Sequence, residues 1–98
     1  MTHRIDPERN EVRALRQVAD WRGRRVLEVG CGDERLTRRL AGLGAHVEAM
    51  DPDPALIRVA RRRLPSSFAP RVRYRVGGAG RLQYPKEAFD RVVLSWVL

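Results

Sequence analysis

The chain has 98 residues, 43% of them hydrophobic, and a formal net charge of +8 that is carried almost entirely by arginine. This length allows one domain at most, the apolar fraction excludes a disordered chain, and the arginine bias alone is weak support for a nucleic-acid partner. The only cysteine excludes an internal disulfide, and the N-terminus lacks a secretion signal. The apolar tail from Val92 to Leu98 is too short to span a bilayer. We therefore expect a cytoplasmic protein without membrane contact.

The first predicted element is a helix from Asp6 to about Asp20. Asp6 followed by Pro7 is typical of an N-cap and the first helical position. The apolar face of this helix consists of Val12, Leu15, Val18 and Ala19. We expect that face to pack on the sheet, and a turn at Gly23 to follow, with Trp21 in the core.

A strand, a tight turn and a second helix come next. The short apolar run of Val26, Leu27 and Val29 is typical of a strand that is buried on both faces. Gly30-Cys31-Gly32 then places two glycines where the backbone turns tightly and approaches a ligand closely. Leucines at helical spacing between Leu36 and Leu43 predict a helix that Gly42 and Gly44 end.

The next strand, His46 to Met50, stops at an acidic residue, Asp51. Asp51 lies 19 residues after Gly32, close to the spacing of about 20 residues expected for a carboxylate that binds ribose hydroxyls. The segment therefore predicts a β-turn-α-β crevice for a nucleoside-bearing cofactor.

The charges beside the glycines distinguish between cofactors. A dinucleotide fingerprint has a third glycine where this chain has Arg35, and an apolar strand residue where it has Glu28. A carboxylate would repel a pyrophosphate but attract a sulfonium or an ammonium group. Glu28 therefore favours S-adenosylmethionine over NAD.

A further helix and an edge strand follow the crevice. Asp53 is predicted as the N-cap and Pro54 as the first helical position, which leaves Asp51 free for the ribose. The helix runs to about Leu64 and is ended by a proline. Arginines alternate with apolar residues from Arg71 to Val76, a period of about two that predicts a half-exposed strand. Arginine on such a strand is typical of a protected sheet edge.

The end of the chain predicts one more buried strand. Phe89-Asp90 precedes it, and it runs from Arg91 to about Ser95. Together, Glu28-Val29-Gly30-Cys31-Gly32, Asp51 and this Phe-Asp-Arg-Val-Val segment resemble the Rossmann-like, class I S-adenosylmethionine-dependent methyltransferase family, in its N-terminal cofactor-binding half. The resemblance covers nearly the whole chain from about residue 25 onward.

The resemblance implies an α/β fold, a three-layer α/β/α Rossmann-like arrangement with a mostly parallel sheet. Because the family's sheet has seven strands, we expect one incomplete domain over residues 1–98, truncated after the fourth strand with the order 3-2-1-4. Residues 1–20 would form the N-terminal helix and residues 25–98 a βαβαββ cofactor-binding half. We expect the outer edge of the fourth strand to be unpaired, which predicts self-association or a complementing chain.

The resemblance also implies the cofactor and the site residues. The cofactor is S-adenosylmethionine, and the predicted binding residues are Glu28, Gly30, Cys31, Gly32, Asp51, Pro52, Gly78, Ala79 and Ser95. Two positions depart from the family pattern: Glu34 stands where a small residue is usual, and Gly78 where an aspartate receives the adenine amino group. The main-chain amide of Ala79 can still reach the adenine ring. These departures put the tightness of the loop and the affinity for the cofactor in question.

The methyl acceptor and the catalytic residues are not identified by the sequence. No general base is found, since His3 and His46 lie outside the expected pocket, and no metal site is predicted. Cys31 is interpreted as a small turn residue and not as a nucleophile. Leu94-Ser95-Trp96-Val97 stands in place of the Asn/Asp-Pro-Pro-aromatic motif of nucleobase methylation. A small-molecule acceptor is therefore favoured over nucleic acid.

Three other functions stay open. The chain could be a non-catalytic, degenerate methyltransferase-like interaction module, given Glu34 and Gly78. It could be an NAD-linked oxidoreductase, which Glu28 and Arg35 disfavour. It could also bind RNA through its exposed arginines.

Overall fold

In the part of the chain that the structure describes, five parallel strands form one sheet. The computed structural model describes residues 2–4, 20–32, 34–78 and 88–94. The strands are β1 (Thr2–Arg4), β2 (Arg25–Val29), β3 (His46–Asp51), β4 (Val72–Val76) and β5 (Arg91–Leu94). They are hydrogen-bonded in the order β1-β5-β2-β3-β4, and every neighbouring pair is parallel. The strands β4, β3, β2 and β5 confirm the predicted order 3-2-1-4, with β4 at the edge.

The outer edge of β5 is paired, which the sequence pattern did not predict. Thr2 lies opposite Val92, and Arg4 lies opposite Leu94, in a parallel register. The expectation of an unpaired edge is therefore wrong for these residues. The sequence did not reveal the pairing because the three residues of β1 have no apolar alternation that would indicate a strand. The predicted helix from Asp6 lies outside the described residues, apart from Asp20.

Among the described residues, two helices, α1 (Arg35–Gly42) and α2 (Pro54–Arg63), cover one face of the sheet, and a 3-10 turn (Ala69–Arg71) precedes β4. As predicted, Asp53 caps α2: its Oδ1 accepts a hydrogen bond of 2.9 Å from the Ala55 N–H. The buried cluster beneath the helices includes Trp21, Val26, Leu40, Ile57, Tyr74 and Val93. Neither described helix has the length and apolar character needed to cross a membrane.

The opposite face of the sheet is also apolar at its centre. Leu27, Val29 and Met50 are buried there and pack with Val92 and Leu94. The central strands are therefore buried on both faces, as is usual in parallel sheets. This rigid centre holds the ends of β2 and β3 next to each other, where the two predicted motifs meet.

Candidate cofactor site

The glycine loop crosses over the end of β3. The N–H groups of Gly30 and Cys31 both donate to the carbonyl oxygen of Met50, at 2.8 and 3.0 Å. Gly30 and Gly32 have φ angles of 81° and 51°, in the left-handed region that glycine enters at little cost. A Cβ atom placed on Gly32 would meet no atom within 4 Å. The loop therefore exposes bare backbone to an open space.

Asp51 closes this space from the neighbouring strand. Its side chain is 8% exposed. One carboxylate oxygen accepts the Gly32 N–H at 3.1 Å, and the other accepts the Asp53 N–H at 2.9 Å. The sequence suggested that Asp51 is free for the ribose. In the structure its carboxylate also joins the glycine loop to the turn before α2. Because a carboxylate has about four acceptor positions, capacity for ribose hydroxyls remains.

Glu28 lies within β2, two residues before Gly30. Its side chain is fully buried, and Oε1 accepts a hydrogen bond from the Thr37 hydroxyl on α1. The sequence did not single out Thr37, whose one signal is a lone hydroxyl among the leucines and arginines of that helix. Because Glu28 is fully buried, any influence of its carboxylate on a bound cation would be an electrostatic effect at a distance.

The other predicted residues are distributed around the same end of the sheet. Pro52 is exposed directly after Asp51. Gly78 follows the end of β4 and borders open space, and the preceding Gly77 donates its N–H to the Asp51 carbonyl oxygen at 3.0 Å. Ala79 and Ser95 lie outside the described residues. His46, as predicted, lies away from this site, because it begins β3 at the opposite end of the sheet.

Comparison with known proteins decides the family. The family model described as "Methyltransferase domain" matches residues 26–98, well over half of the chain. The chain belongs to the class I S-adenosylmethionine-dependent methyltransferases. The cofactor of this family is S-adenosylmethionine.

Individual methyltransferases are similar to parts of the chain. A "Ubiquinone biosynthesis O-methyltransferase" from Xanthomonas oryzae is 44% identical over 59 residues, which are 60% of this chain and 24% of that protein. A crystal structure of an S-adenosylmethionine dependent methyltransferase from Mesorhizobium loti covers 94% of this chain and 40% of its own, with a TM-score of 0.75 and 24% identity.

The structure of a third methyltransferase contains S-adenosylhomocysteine. This protein is the phosphoethanolamine N-methyltransferase 1 of Haemonchus contortus, in complex with phosphoethanolamine and S-adenosylhomocysteine. It is 25% identical, with a TM-score of 0.72, and the match covers 86% of this chain and 18% of that one. In all three cases the chain spans less than half the length of the methyltransferase that it matches.

Glu34 replaces the small residue of the methyltransferase motif without opening the loop. Its backbone takes the left-handed conformation, with φ 61°, and its N–H donates to the Cys31 carbonyl oxygen at 2.9 Å. The side chain is 3% exposed, and Oε1 lies 3.4 Å from Arg63 Nε and 3.8 Å from an Arg38 nitrogen. The conformation costs a residue with a side chain about 1 kcal/mol. This left-handed backbone explains why the family usually has a small residue at position 34. In this chain, contacts with Arg38 and Arg63 help to hold the glutamate in that conformation.

We expect the Glu34→Gly variant to be more stable than Glu34→Ala by about 1 kcal/mol in free energy of unfolding. Both variants lose the contacts with Arg38 and Arg63, so the difference between them isolates the left-handed backbone. Urea denaturation measures it. The matched pair at Glu48, within regular β3, should show the opposite order because glycine weakens a strand interior. The same order at both positions would contradict the explanation.

Cys31 is held as a neutral thiol. Burial raises its pKa most, and the carboxylates of Glu28 and Asp51 raise it further, from the ordinary 9.0 to about 12. The thiolate is the reactive form, so the structure agrees with the interpretation of Cys31 as a turn residue and not as a nucleophile.

Alkylation of Cys31 by iodoacetamide should be slow and strongly dependent on pH. A pKa of about 12 in place of 9.0 lowers the thiolate fraction at pH 8 about a thousandfold. The rate should rise about tenfold per pH unit from 7 to 11, as long as the chain stays folded. Mass spectrometry follows the reaction, and the urea-unfolded chain is the control. A plateau near pH 9 in the folded chain would contradict the raised pKa.

Proposed function

We propose that the chain is the cofactor-binding part of a methyltransferase that transfers a methyl group from S-adenosylmethionine to a small-molecule acceptor. The observation that carries this proposal is the Asp51 carboxylate, buried at the carboxyl end of β3 and bonded to Gly32 N–H across the end of the sheet. Ligands bind at this end of parallel α/β sheets. The open spaces beside Gly32 and Gly78 fit a nucleoside that lies between the glycine loop and the end of β4.

The charges around the loop support a cationic cofactor. Glu28, Asp51 and Glu34 each raise the pKa of the Cys31 thiol, so the loop lies in a negative potential. That potential attracts the sulfonium and ammonium groups of S-adenosylmethionine and repels the pyrophosphate of a dinucleotide. The buried position of Glu28 agrees with an effect that acts through space.

Asp51 and the two loop glycines would hold the methyl donor, S-adenosylmethionine. Asp51 would accept hydrogen bonds from ribose hydroxyls, and Gly30 and Gly32 would let the main chain approach the methionine part. When bound, S-adenosylmethionine supplies an electrophilic methyl group on its sulfonium. The contribution of this chain is orientation, which is worth up to about 7–11 kcal/mol in ideal cases. Transfer of this methyl group from sulfur to the acceptor would leave S-adenosylhomocysteine.

We propose an oxygen acceptor, supported by the name of the relative that is 44% identical over 59 residues, an O-methyltransferase. The proton of the acceptor hydroxyl must then pass to a base. We propose that a further segment, a complementing chain or a second copy supplies the acceptor-binding part, since the match covers 24% of that relative.

A cytoplasmic location is also proposed. Its support is the single cysteine of the chain, which is a free and buried thiol. Free thiols persist in a reducing compartment.

Isothermal titration calorimetry of the full chain tests the function. We expect S-adenosylmethionine and S-adenosylhomocysteine to bind, and NADH to bind at least about 100-fold more weakly because of the negative loop. Binding of NADH alone would support an oxidoreductase. If circular dichroism shows a folded chain that binds none of the three, the degenerate module is the better description.

A further inference from the structure

A second cavity lies at the opposite end of the sheet from the cofactor site. It has a volume of about 290 Å³ and is formed at the amino ends of β2, β3 and β4 and by the segments that precede β4 and β5. Its charged and aromatic lining residues are Arg25, His46, Glu48, Arg71, Arg73 and Phe89. Nothing in the proposed methyl transfer uses these residues.

The register of the strands brings the charges together. Arg25 lies opposite His46, and Glu48 lies opposite Arg73, so the four residues occupy neighbouring positions on three adjacent strands. Three arginines and one glutamate line the cavity, so its lining is formally cationic even when His46 is neutral.

Part of this charge is not compensated. Glu48 forms an ion pair of 3.6 Å with Arg75, which is not part of the lining, and Arg25 pairs with Asp90 at 3.3 Å. For Arg73, which is exposed, the described part of the chain provides no ion pair. The glutamate in the lining is therefore already engaged, and Arg73 is available to an anion.

Apolar groups complete the cavity. Phe89 is half-buried, and Pro70, Val47 and Val72 also line the space. A site with a few charged groups among apolar ones selects a ligand with a charged end and an apolar body. The volume of about 290 Å³ is just below the range of such sites, which begins at about 300 Å³, and this favours a small ligand.

We propose that this cavity binds a small phosphate monoester, with its phosphate at Arg73 and its apolar group against Phe89. With Arg25 paired to Asp90 and Glu48 paired to Arg75, Arg71 and Arg73 are the lining residues whose charge no described carboxylate balances. A phosphate dianion balances these two charges, whereas a monocarboxylate would leave one of them uncompensated. Arginine also provides the forked donors that suit phosphate oxygens. The site is separate from the proposed cofactor site and does not depend on it.

Phenyl phosphate is the probe, titrated into the ¹⁵N-labelled full chain and followed by amide chemical shifts. We expect shifts at His46, Glu48 and Arg73 and none at Gly30 or Gly32. Inorganic phosphate should bind more weakly because it lacks the ring. Phenol should bind more weakly because it lacks the charge. Shifts confined to the glycine loop, or equal affinity for phenol, would overturn the proposal.

The Arg73→Gln variant should weaken phenyl phosphate binding about tenfold. Arg58→Gln, on the exposed side of α2 and outside the cavity, removes the same charge and should leave the affinity unchanged. Equal weakening in both variants would mean that only the net charge of the chain matters, which overturns the site. The affinity of Arg73→Gln for S-adenosylhomocysteine should stay unchanged, so this proposal and the cofactor site can fail separately.

Discussion

The Asp51→Ala variant is expected to bind S-adenosylhomocysteine about 100-fold more weakly than the parent chain. Hydrogen bonds to a charged acceptor are worth about 1.5–3 kcal/mol each. Each of the two ribose hydroxyls would lose one such bond. A loss of about 3 kcal/mol corresponds to a factor of about 100 in affinity. The glycine loop would also lose the contact between Gly32 N–H and the carboxylate. Calorimetry measures the affinity, and urea denaturation measures the stability in parallel.

Asp53→Ala is the matched control for this prediction. It removes the same charge two residues away and deletes the N-cap of α2, which costs about 1 kcal/mol of stability. Its affinity for S-adenosylhomocysteine should stay within about threefold of the parent. If both variants lose affinity equally, the cause is the loss of local structure or charge, and Asp51 is not a ribose ligand.

The sequence predicted the fold where local patterns carry the information. The run from Val26 to Val29, the leucines of α1 and the cap at Asp53 each depend on neighbouring residues, and all three are confirmed. Asp51 was predicted at a strand end, and the structure places it against Gly32. Motif spacing was sufficient there because parallel strands bring their carboxyl ends together.

The features that the sequence missed depend on contacts between distant residues. The pairing of Thr2–Arg4 with β5 needs the far end of the chain, and the segment has no apolar period. The contact between Glu34 and Arg63 joins the glycine loop to the last turn of α2, and no spacing in the sequence predicts it. The hydrogen bond from the Thr37 hydroxyl to Glu28 joins α1 to β2, and no motif of the sequence predicted it.

Gly32→Ala is expected to weaken S-adenosylhomocysteine binding about 30-fold or more while the chain stays folded. The added methyl would occupy the open space beside the loop, where no protein atom lies within 4 Å. Crowding by one methyl in a fitted site costs about 2 kcal/mol, which corresponds to a factor of about 30. The φ of 51° adds about 1 kcal/mol of backbone strain in the folded chain.

Gly23→Ala separates these two effects. Gly23 also has a positive φ, 72°, and a Cβ there would likewise meet nothing within 4 Å, but its turn lies before β2, at the opposite end of that strand from the glycine loop. It should therefore lose the same stability of about 1 kcal/mol and keep its affinity for S-adenosylhomocysteine. If Gly32→Ala binds as tightly as Gly23→Ala, the space beside Gly32 is not where the nucleoside-bearing cofactor lies. A loss in Gly32→Ala alone would place the cofactor against the loop, because only the position of the added methyl differs.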